Sequence, residues 1–255
     1  MPPPALRYEK TPLSMGIQVV RLMVSRGYSL GVTQLAKELG MPKSSIHRLL
    51  QTLREIGFVE KSDTTQRYSI NPDIFQFVHG LATQFGRNLR LEKHLQKVAT
   101  RLDCSVYLSM LGARETYVVC AAGNEGGTTR LGSHSLAYTT SAGKVLVAHL
   151  PEESWEHFAP QPGDLLPTPF SNRDVQRFYA QLTEARTRRV AWNRRESSSD
   201  HVSVATVVRE PFIDPPRLTV ALLFRQETLV LRDHGELEEA VFELAAKLEK
   251  ELGSL

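Results

Sequence analysis

The segment MPKSSIHRLLQTLREIG, residues 41–57, constrains the fold most strongly, because apolar residues recur in it at helical spacing. Pro42 suits the first position of a helix, where its missing N–H is not needed, and Gly57 suits the C-terminal cap. The apolar face consists of Ile46, Leu49, Leu50, Leu53 and Ile56. A helix with such a stripe has to pack against neighbouring elements, which leaves its polar face to solvent or to a partner.

Two helices are predicted before this segment and two strands after it. Apolar spacing predicts helices over Met15–Ser25 and Val32–Leu39, and a glycine follows the end of each. Alternation predicts strands over Phe58–Lys61 and Gln66–Ile70, joined by a polar loop. Three helices followed by a hairpin form a winged helix-turn-helix, in which the stripe of the third helix packs on the first two.

The charge of the chain is unevenly distributed. Residues 1–72 contain ten Lys or Arg and five Asp or Glu, whereas the remainder contains 21 and 23. A basic N-terminal module on a near-neutral body is the asymmetry expected of a nucleic-acid reader with a separate second domain. Charge alone does not decide this, because ordinary surface scatter also produces such imbalances.

The polar face of the third helix has the chemistry of a base reader. The second helix of a helix-turn-helix enters the major groove and presents its N-terminal residues to base edges. Arg can bind guanine, Gln can pair with adenine, and Ser or Thr can bond bases or phosphates. The predicted DNA-binding residues are Thr33, Lys43, Ser44, Ser45, His47, Arg48, Gln51, Thr52, Lys61 and Arg67. The alternative is a winged helix used only for protein contacts.

The chain after Asn71-Pro72 is predicted to form a second unit of helices and strands. A helix over Asp73–Phe85 is placed to link the two units. Ser141 is predicted to open a helix that Pro151 closes, and Ser171–Asp174 resembles a capping box ahead of another. The strands are predicted over Ser105–Met110, Thr116–Ala121, Val190–Arg194, Val202–Val208 and Leu218–Phe224. Further helices are predicted over Leu89–Leu102 and along Leu237–Leu252.

No motif in the sequence supports catalysis or metal binding. The string SAGKV at Ser141–Val145 fails the phosphate-loop pattern at both ends. The histidines show no paired-ligand spacing, and a nucleophile elbow is absent. Glu196 and Asp200 could be imagined as an acid–base pair, but an isolated pair of carboxylates is usually solvated surface. We therefore expect neither an enzyme nor a cofactor.

The composition is typical of a cytoplasmic globular protein. The chain has no apolar run long enough for a transmembrane helix, and MPPPALRYEK lacks the apolar core of a secretory signal. The two cysteines, Cys104 and Cys120, do not form a CxxC pair, so a disulfide framework is not expected.

Several segments together resemble the IclR family of bacterial transcriptional regulators, over about Ser14 to Gly253. In the first half these are TQLAKELGMPKSSIHRLLQTLREIGFVE, residues 33–60, and RYSINPDIF, residues 67–75. In the second half they are TSAGKVLVAHLP, residues 140–151, and TPFSNRDVQRFYAQLTEARTRRVAWNRRE, residues 168–196. The second pair is the more diagnostic, because winged helices are common.

The resemblance implies an α+β protein with a GAF-like effector-binding domain, an antiparallel sheet flanked by helices. It implies a DNA-binding domain over 1–72 with a flexible arm at 1–13, a linker helix at 73–87 and the effector domain at 88–255. Members of the family bind operator DNA as dimers or dimers of dimers. They act as repressors, activators or both, and often control the catabolism of small organic acids or aromatic compounds.

The resemblance also implies an effector pocket at matching positions of this chain. The pocket would use the start of the AGK helix, a strand that ends in Glu196, and positions on two further strands. The implied effector-binding residues are Arg130, Leu131, Gly132, Tyr138, Ser141, Ala142, Gly143, Asn193, Glu196, Ser203, Ala205, Leu223 and Arg225.

The chain departs from the family pattern at several of these positions. Asn193 stands where many members have aspartate, Ser203 where a pocket cysteine is common, and Leu223 and Arg225 where some members have serines. Leu223 and Arg225 share a face of their strand, since strand side chains alternate. A less acidic pocket with an arginine suits a carboxylate effector larger or more apolar than glyoxylate-type acids. Arg225 could equally form a surface salt bridge at the strand end.

These features predict a ligand-responsive DNA-binding regulator of a catabolic operon, with a small organic acid, aromatic or not, as effector. The alternative is a metabolite-binding sensor or an enzyme that retains a vestigial winged helix. The two are distinguished by whether the exposed face of Ser44–Thr52 binds DNA.

Overall fold

A computed structural model of the chain describes residues 11–74, 76, 89–123, 131–229 and 232–253. The chain divides between residues 82 and 83 into two compact units, each of which is described by itself. Most of the predicted linker helix at 73–87 lies outside the described residues, as does the predicted flexible arm up to residue 10.

The first unit is a winged helix-turn-helix, as predicted. Its three helices are α1 (Pro12–Arg26), α2 (Val32–Leu39) and α3 (Lys43–Glu55). The wing is an antiparallel pair of strands, β1 (Val59–Lys61) and β2 (Tyr68–Ile70).

The apolar stripe of α3 closes the core of this unit. Ile46 and Leu50 are fully buried against side chains of α1, α2 and the wing. The prediction for Ile56 was wrong, because this side chain is 59% exposed. Ile56 is the C-terminal cap of α3, where the backbone leaves the helix and turns the side chain away from the stripe. Gly57 follows in the left-handed conformation, as its predicted capping role requires.

The start of α1 differs from the prediction. The helix begins at Pro12 and not at Met15, because Thr11 and Ser14 form a capping box ahead of the apolar spacing. The Thr11 hydroxyl accepts a hydrogen bond from the Ser14 amide, and the Ser14 hydroxyl accepts one from the Thr11 amide. The arm predicted at 1–13 therefore reaches two residues too far into the helix.

The second unit is built on a six-stranded antiparallel sheet with the order β5-β4-β3-β8-β7-β6. The strands are β3 (Ser105–Leu111), β4 (Glu115–Gly123), β5 (His134–Leu136), β6 (Ala191–Arg194), β7 (His201–Val208) and β8 (Leu218–Arg225). The strand β5 was not predicted, because three residues are too few for an alternation to stand out. The edge strands of this sheet are β5 and β6.

Helices cover both faces of this sheet and confirm the predicted α+β class. The helices are α4 (Leu89–Leu102), α5 (Ser141–His149), α6 (Trp155–Phe158), α7 (Val175–Arg188), α8 (Gln226–Leu229) and α9 (His234–Gly253). On one face, α4 and α9 pack against residues such as Val204 and Leu222. On the other face, α5 packs against residues such as Ala205 and Leu223, and α7 covers α5.

Two helix caps in this unit are defined by side chains, and one of them differs from the prediction. The helix α5 begins at Ser141, as predicted, and its cap is Thr140, whose hydroxyl accepts a hydrogen bond of 2.9 Å from the Gly143 amide. The cap of α7 is Asp174 itself, whose carboxylate accepts hydrogen bonds from the amides of Gln176 and Arg177. Both caps lie next to the candidate sites, and each places a polar side chain at the start of a helix.

Within the described part of the chain, no helix combines the length and the apolar composition needed to cross a membrane.

Candidate DNA-reading surface and effector site

The polar face of α3 is exposed, as predicted. Lys43, Ser44, His47, Arg48, Gln51 and Thr52 are exposed and Ser45 is half-buried. Thr33 lies exposed on the first turn of α2. The side chains at the N-terminal end of α3 therefore stand on the opposite side of the helix from the buried stripe, which fixes where they point.

Two side chains of this face form hydrogen bonds with other residues of α3. The Thr52 hydroxyl donates to the Arg48 carbonyl at 3.2 Å, and the Gln51 amide donates to the Glu55 carboxylate at 3.3 Å. Among the described residues, Lys43 and Arg48 have no carboxylate partner within ion-pair distance. Their charges are thus available to an anionic partner.

The two basic residues of the wing differ in their surroundings. The Arg67 guanidinium donates to the Ser29 carbonyl at 3.0 and 2.6 Å and to the Gln34 amide oxygen at 3.2 Å. Lys61 is half-buried, with its ammonium 5.8 Å from the centre of the Tyr68 ring. Arg67 thereby fastens the wing to α2 and the loop before it, whereas the Lys61 ammonium makes no such contact with them.

In the second unit, three hydroxyls meet between the sheet and the start of α5. The side-chain oxygens of Ser141 and Ser203 lie 2.7 Å apart in the buried interior. Burial raises the pKa of Tyr107, and hydrogen bonds with Ser203 and Ser141 offset part of that shift. We call Tyr107, Ser141 and Ser203 the hydroxyl cluster. Sequence reasoning did not identify Tyr107, because its only signal was a polar atom within an apolar strand.

Apolar residues surround the hydroxyl cluster. Ala205 and Leu223 belong to the same buried face, and Ala142 packs there from α5. A side chain at Gly143 would bring its Cβ within 2.1 Å of the Ala137 carbonyl oxygen. Glycine at this position therefore lets the first turn of α5 approach the short helical turn before it. Ser141, Ala142, Gly143, Ser203, Ala205 and Leu223, all predicted effector residues, are thus brought together.

Asn193 and Glu196 have partners within the protein. The Asn193 amide oxygen accepts a hydrogen bond of 2.8 Å from the Glu196 amide, and its nitrogen donates to the Ser197 hydroxyl at 2.6 Å. The Glu196 carboxylate forms a buried ion pair with the Lys144 ammonium. Both side chains therefore shape the turn between β6 and β7 in this structure.

Lys144 is an important residue that sequence reasoning did not assign to the site. Its side chain is 2% exposed, and its ammonium also donates to the Trp192 carbonyl at 3.2 Å. Burial lowers the pKa of Lys144, and the negative charge of Glu196 opposes that effect. The available signal was a lone lysine among apolar residues of a helix, in the sequence SAGKVLVAH. Such a lysine needs a buried anionic partner.

Of the remaining predicted effector residues, Tyr138 belongs to the same buried core as Ala205 and Leu223, whereas Leu131, Gly132 and Arg225 are exposed. Tyr138 is fully buried, and burial followed by the Asp164 charge raises the pKa of its hydroxyl. Leu131 is 70% exposed, Gly132 is also exposed, and Arg130 lies outside the described residues. Arg225 is exposed at the end of β8 and is paired in register with His201.

Nothing in the described ranges forms a group of three or more His, Cys, Asp or Glu side chains that could hold a metal ion. Cys104 and Cys120 are not bonded to each other.

Comparison with known proteins identifies the family. A family profile described as the IclR helix-turn-helix domain matches residues 13–63. A second profile, described as the C-terminal domain of the bacterial transcriptional regulator IclR, matches residues 88–249, more than half of the chain. The chain belongs to the IclR family. It is therefore a transcriptional regulator with a DNA-binding and an effector domain.

Relatives within the IclR family share moderate identity with this chain. The HTH-type transcriptional regulator TtgV of Pseudomonas putida is 28% identical over 201 residues, which cover 77% of this chain and 75% of TtgV. XynR of Escherichia coli is 24% identical over 139 residues, 53% of this chain and 55% of XynR. The alignments with two further relatives also span about half of their length.

Solved structures of the IclR family share the fold. A regulator from Alicyclobacillus acidocaldarius has a TM-score of 0.75 at 21% identity, over 96% of this chain and 100% of that one. An IclR homologue from Microbacterium hydrocarbonoxydans, solved in complex with 4-hydroxybenzoate, has a TM-score of 0.76 at 16% identity, with coverage of 96% and 100%.

The buried ion pair leads to a stability prediction. The substitution Lys144→Met leaves Glu196 buried without its cation, so it is expected to lower the free energy of unfolding by about 3 kcal/mol. Adding Glu196→Gln to Lys144→Met should recover much of the loss, because no bare charge then remains. Denaturant unfolding followed by tryptophan fluorescence measures this, since Trp155 and Trp192, the two tryptophans, lie in the second unit.

The exposed Lys247 on α9 provides the matched control, because Lys247→Met removes the same charge from the surface and should change stability by less than about 0.5 kcal/mol. Equal effects of Lys144→Met and Lys247→Met would contradict a structural role for the pair.

Proposed function

We propose that this IclR-family regulator reads operator DNA with the exposed face of α3 and controls a catabolic operon in response to a small organic acid. The observation that carries the proposal is the division of α3 into two faces. Ile46 and Leu50 are fully buried, whereas Arg48 and Gln51 point away from them and are exposed. A vestigial winged helix would not be expected to retain a closed core under such a polar face, so this division favours a working reader.

In the proposed complex, α3 lies in the major groove. Ser44, Ser45, His47 and Arg48 occupy its N-terminal half, the part that reaches base edges in helix-turn-helix complexes. Arg48 suits guanine and Gln51 suits adenine, because each can form two hydrogen bonds with its base. Lys43 and Lys61 suit phosphates. Arg67 would hold the wing in place through its hydrogen bonds to the Ser29 carbonyl.

A homodimer, or a dimer of dimers, would place two copies of α3 on one operator. A single winged helix reads few base pairs, and a two-fold assembly reads two half-sites about one helical turn, or a multiple of it, apart. Effector binding changes DNA affinity only if the effector binds the DNA-competent arrangement with a different affinity from the other arrangement.

The proposed effector site is the hydroxyl cluster with its apolar surroundings. Buried hydroxyls can bond a phenolic or carboxylate oxygen, while Ala205 and Leu223 suit an apolar ring. A relative of similar fold was solved with 4-hydroxybenzoate. That ligand supports, for this chain, an aromatic or similarly apolar carboxylate. Arg225 lies two residues beyond Leu223 at the exposed end of β8, and it would pair with the carboxylate of a ligand that extends from the hydroxyl cluster toward that end.

The phosphate role of Lys61 can be tested without knowing the operator. Affinity for a duplex of random sequence is measured by fluorescence anisotropy at several salt concentrations. The substitution Lys61→Ala should weaken binding and reduce the slope of log K against log salt by about 1, because one fewer counterion is released. Lys247→Ala in the second unit removes the same charge and should leave the slope unchanged. An unchanged slope in Lys61→Ala would exclude the phosphate contact.

The effector site is tested by calorimetry with 4-hydroxybenzoate, benzoate, glyoxylate and phenol as probes. The substitution Ser203→Ala should weaken binding of 4-hydroxybenzoate about tenfold, because a hydrogen bond is lost in a buried site. Arg225→Ala should weaken the binding of 4-hydroxybenzoate and leave the binding of phenol unchanged, since only the acid carries a carboxylate.

Arg217→Ala, an exposed arginine in the loop between β7 and β8, serves as the control for charge. The proposal fails if no probe binds saturably, or if Ser203→Ala and Arg225→Ala bind 4-hydroxybenzoate as the wild type does.

A further inference from the structure

A cavity with a volume of about 570 Å³ lies in the effector domain, between α7 and the edge strand β6. That volume is in the range that holds a small molecule. Of the predicted effector residues, Glu196 lines this cavity, whereas Ser141 and Ser203 do not. The Lys144–Glu196 ion pair forms part of the cavity lining, and Tyr107, the third residue of the hydroxyl cluster, is also absent from that lining.

Basic side chains dominate the charge of this cavity. Its lining includes Lys144, Arg173, Arg177, Arg188 and Arg194. The arginines are positively charged at neutral pH whether or not they are paired, so the net charge of the cavity depends on the carboxylates in its lining.

The carboxylates of the lining have partners elsewhere. Glu196 pairs with Lys144. Glu184 pairs with Arg188 at 3.2 Å. Asp174 accepts the hydrogen bonds from the first amides of α7. Two of these carboxylates therefore neutralise Lys144 and Arg188, and the third caps α7. None of them forms an ion pair with the other described arginines of the lining.

Three guanidinium groups remain without an acidic partner. Within the described ranges, the guanidinium groups of Arg173, Arg177 and Arg194 make no ion pair or hydrogen bond with a carboxylate, although the backbone amides of Arg177 and Arg194 do. Arg194 lies over the ring of Trp192, with 5.4 Å between the guanidinium carbon and the ring centre. That contact holds the guanidinium beside an apolar wall and leaves its N–H donors unpaired with any anion.

In addition to burial, the positive charges of two of these arginines lower the pKa of the Lys144 ammonium. The pKa of Lys144 is lowered first by burial, and the positive charges of Arg177 and Arg194 lower it further. Two arginines on different elements, α7 and β6, therefore act on the same wall of the cavity. A field of one sign inside a concave surface attracts anions.

We propose that this cavity is an anion-binding site, distinct from the hydroxyl cluster, for a small molecule that carries two or more carboxylate or phosphate charges. Three unpaired guanidiniums match more than one negative charge, and their planar donors suit both carboxylate and phosphate oxygens. The amides of Asn172 and Gln181 add polar groups to the lining, and Trp192 adds an apolar one. The proposal does not depend on the identity of the effector proposed above.

The test is calorimetric titration of the full chain with citrate and, separately, with inorganic phosphate. Saturable binding of one of them is expected, and the one that binds more tightly identifies the carboxylate or the phosphate class. The substitutions Arg177→Ala and Arg194→Ala should each weaken that binding about tenfold, because each removes a charge-assisted contact. Both side chains are exposed, so the fold should be retained, which the melting temperature without anion verifies.

Two controls make the outcome decisive. Arg101→Ala removes an exposed arginine from α4, on the opposite face of the sheet, and should leave anion affinity unchanged. Ser203→Ala should also leave the anion affinity unchanged, whereas the same variant is expected to weaken binding of the organic acid at the hydroxyl cluster. The proposal is overturned if neither anion binds saturably, if Arg177→Ala and Arg194→Ala bind like the wild type, or if the loss appears in Ser203→Ala instead.

Discussion

Burial of the apolar stripe of α3 is the constraint on which the DNA-reading half of the molecule depends. Ile46 and Leu50 have no exposed surface, and each such side chain contributes roughly 1.5–3 kcal/mol when it leaves water. This burial fixes the rotation of the helix about its axis. Because the rotation is fixed, Arg48 and its polar neighbours point outward whether or not DNA is present, so little ordering would be required on binding.

In the effector domain, the buried Lys144–Glu196 ion pair is the corresponding constraint. Lys144 on α5 and Glu196 in the turn after β6 are far apart in the sequence but neutralise each other in the interior. The pair joins α5, which also carries Ser141 of the hydroxyl cluster, to the turn after β6, and it lines the arginine-rich cavity. A molecule bound at either site would therefore lie close to the same fixed contact.

Local patterns predicted most of the fold, the boundary errors arose at helix caps and at one short strand, and the contacts that the sequence did not reveal are long-range. Helical spacing gave α3 and α4 nearly to the residue, since a stripe of several turns leaves a strong signal. The strand β5 was missed because it is three residues long. Glu196 matched a family position, but the sequence did not reveal that Lys144 occupies its carboxylate, because no local pattern reports a partner that far along the chain. Arg67 was predicted to contact DNA, which stays a prediction, and the sequence did not reveal its hydrogen bonds to the Ser29 carbonyl.

The central claim is that one face of α3 reads bases while the other holds the fold. Selection of bound duplexes from a random-sequence pool, with wild type and Arg48→Ala in parallel, tests this most directly. The account predicts a two-fold motif for the wild type, and the same half-site spacing for Arg48→Ala with the preference for guanine lost at one position of each half-site. An identical motif from both proteins, at every position, would contradict it.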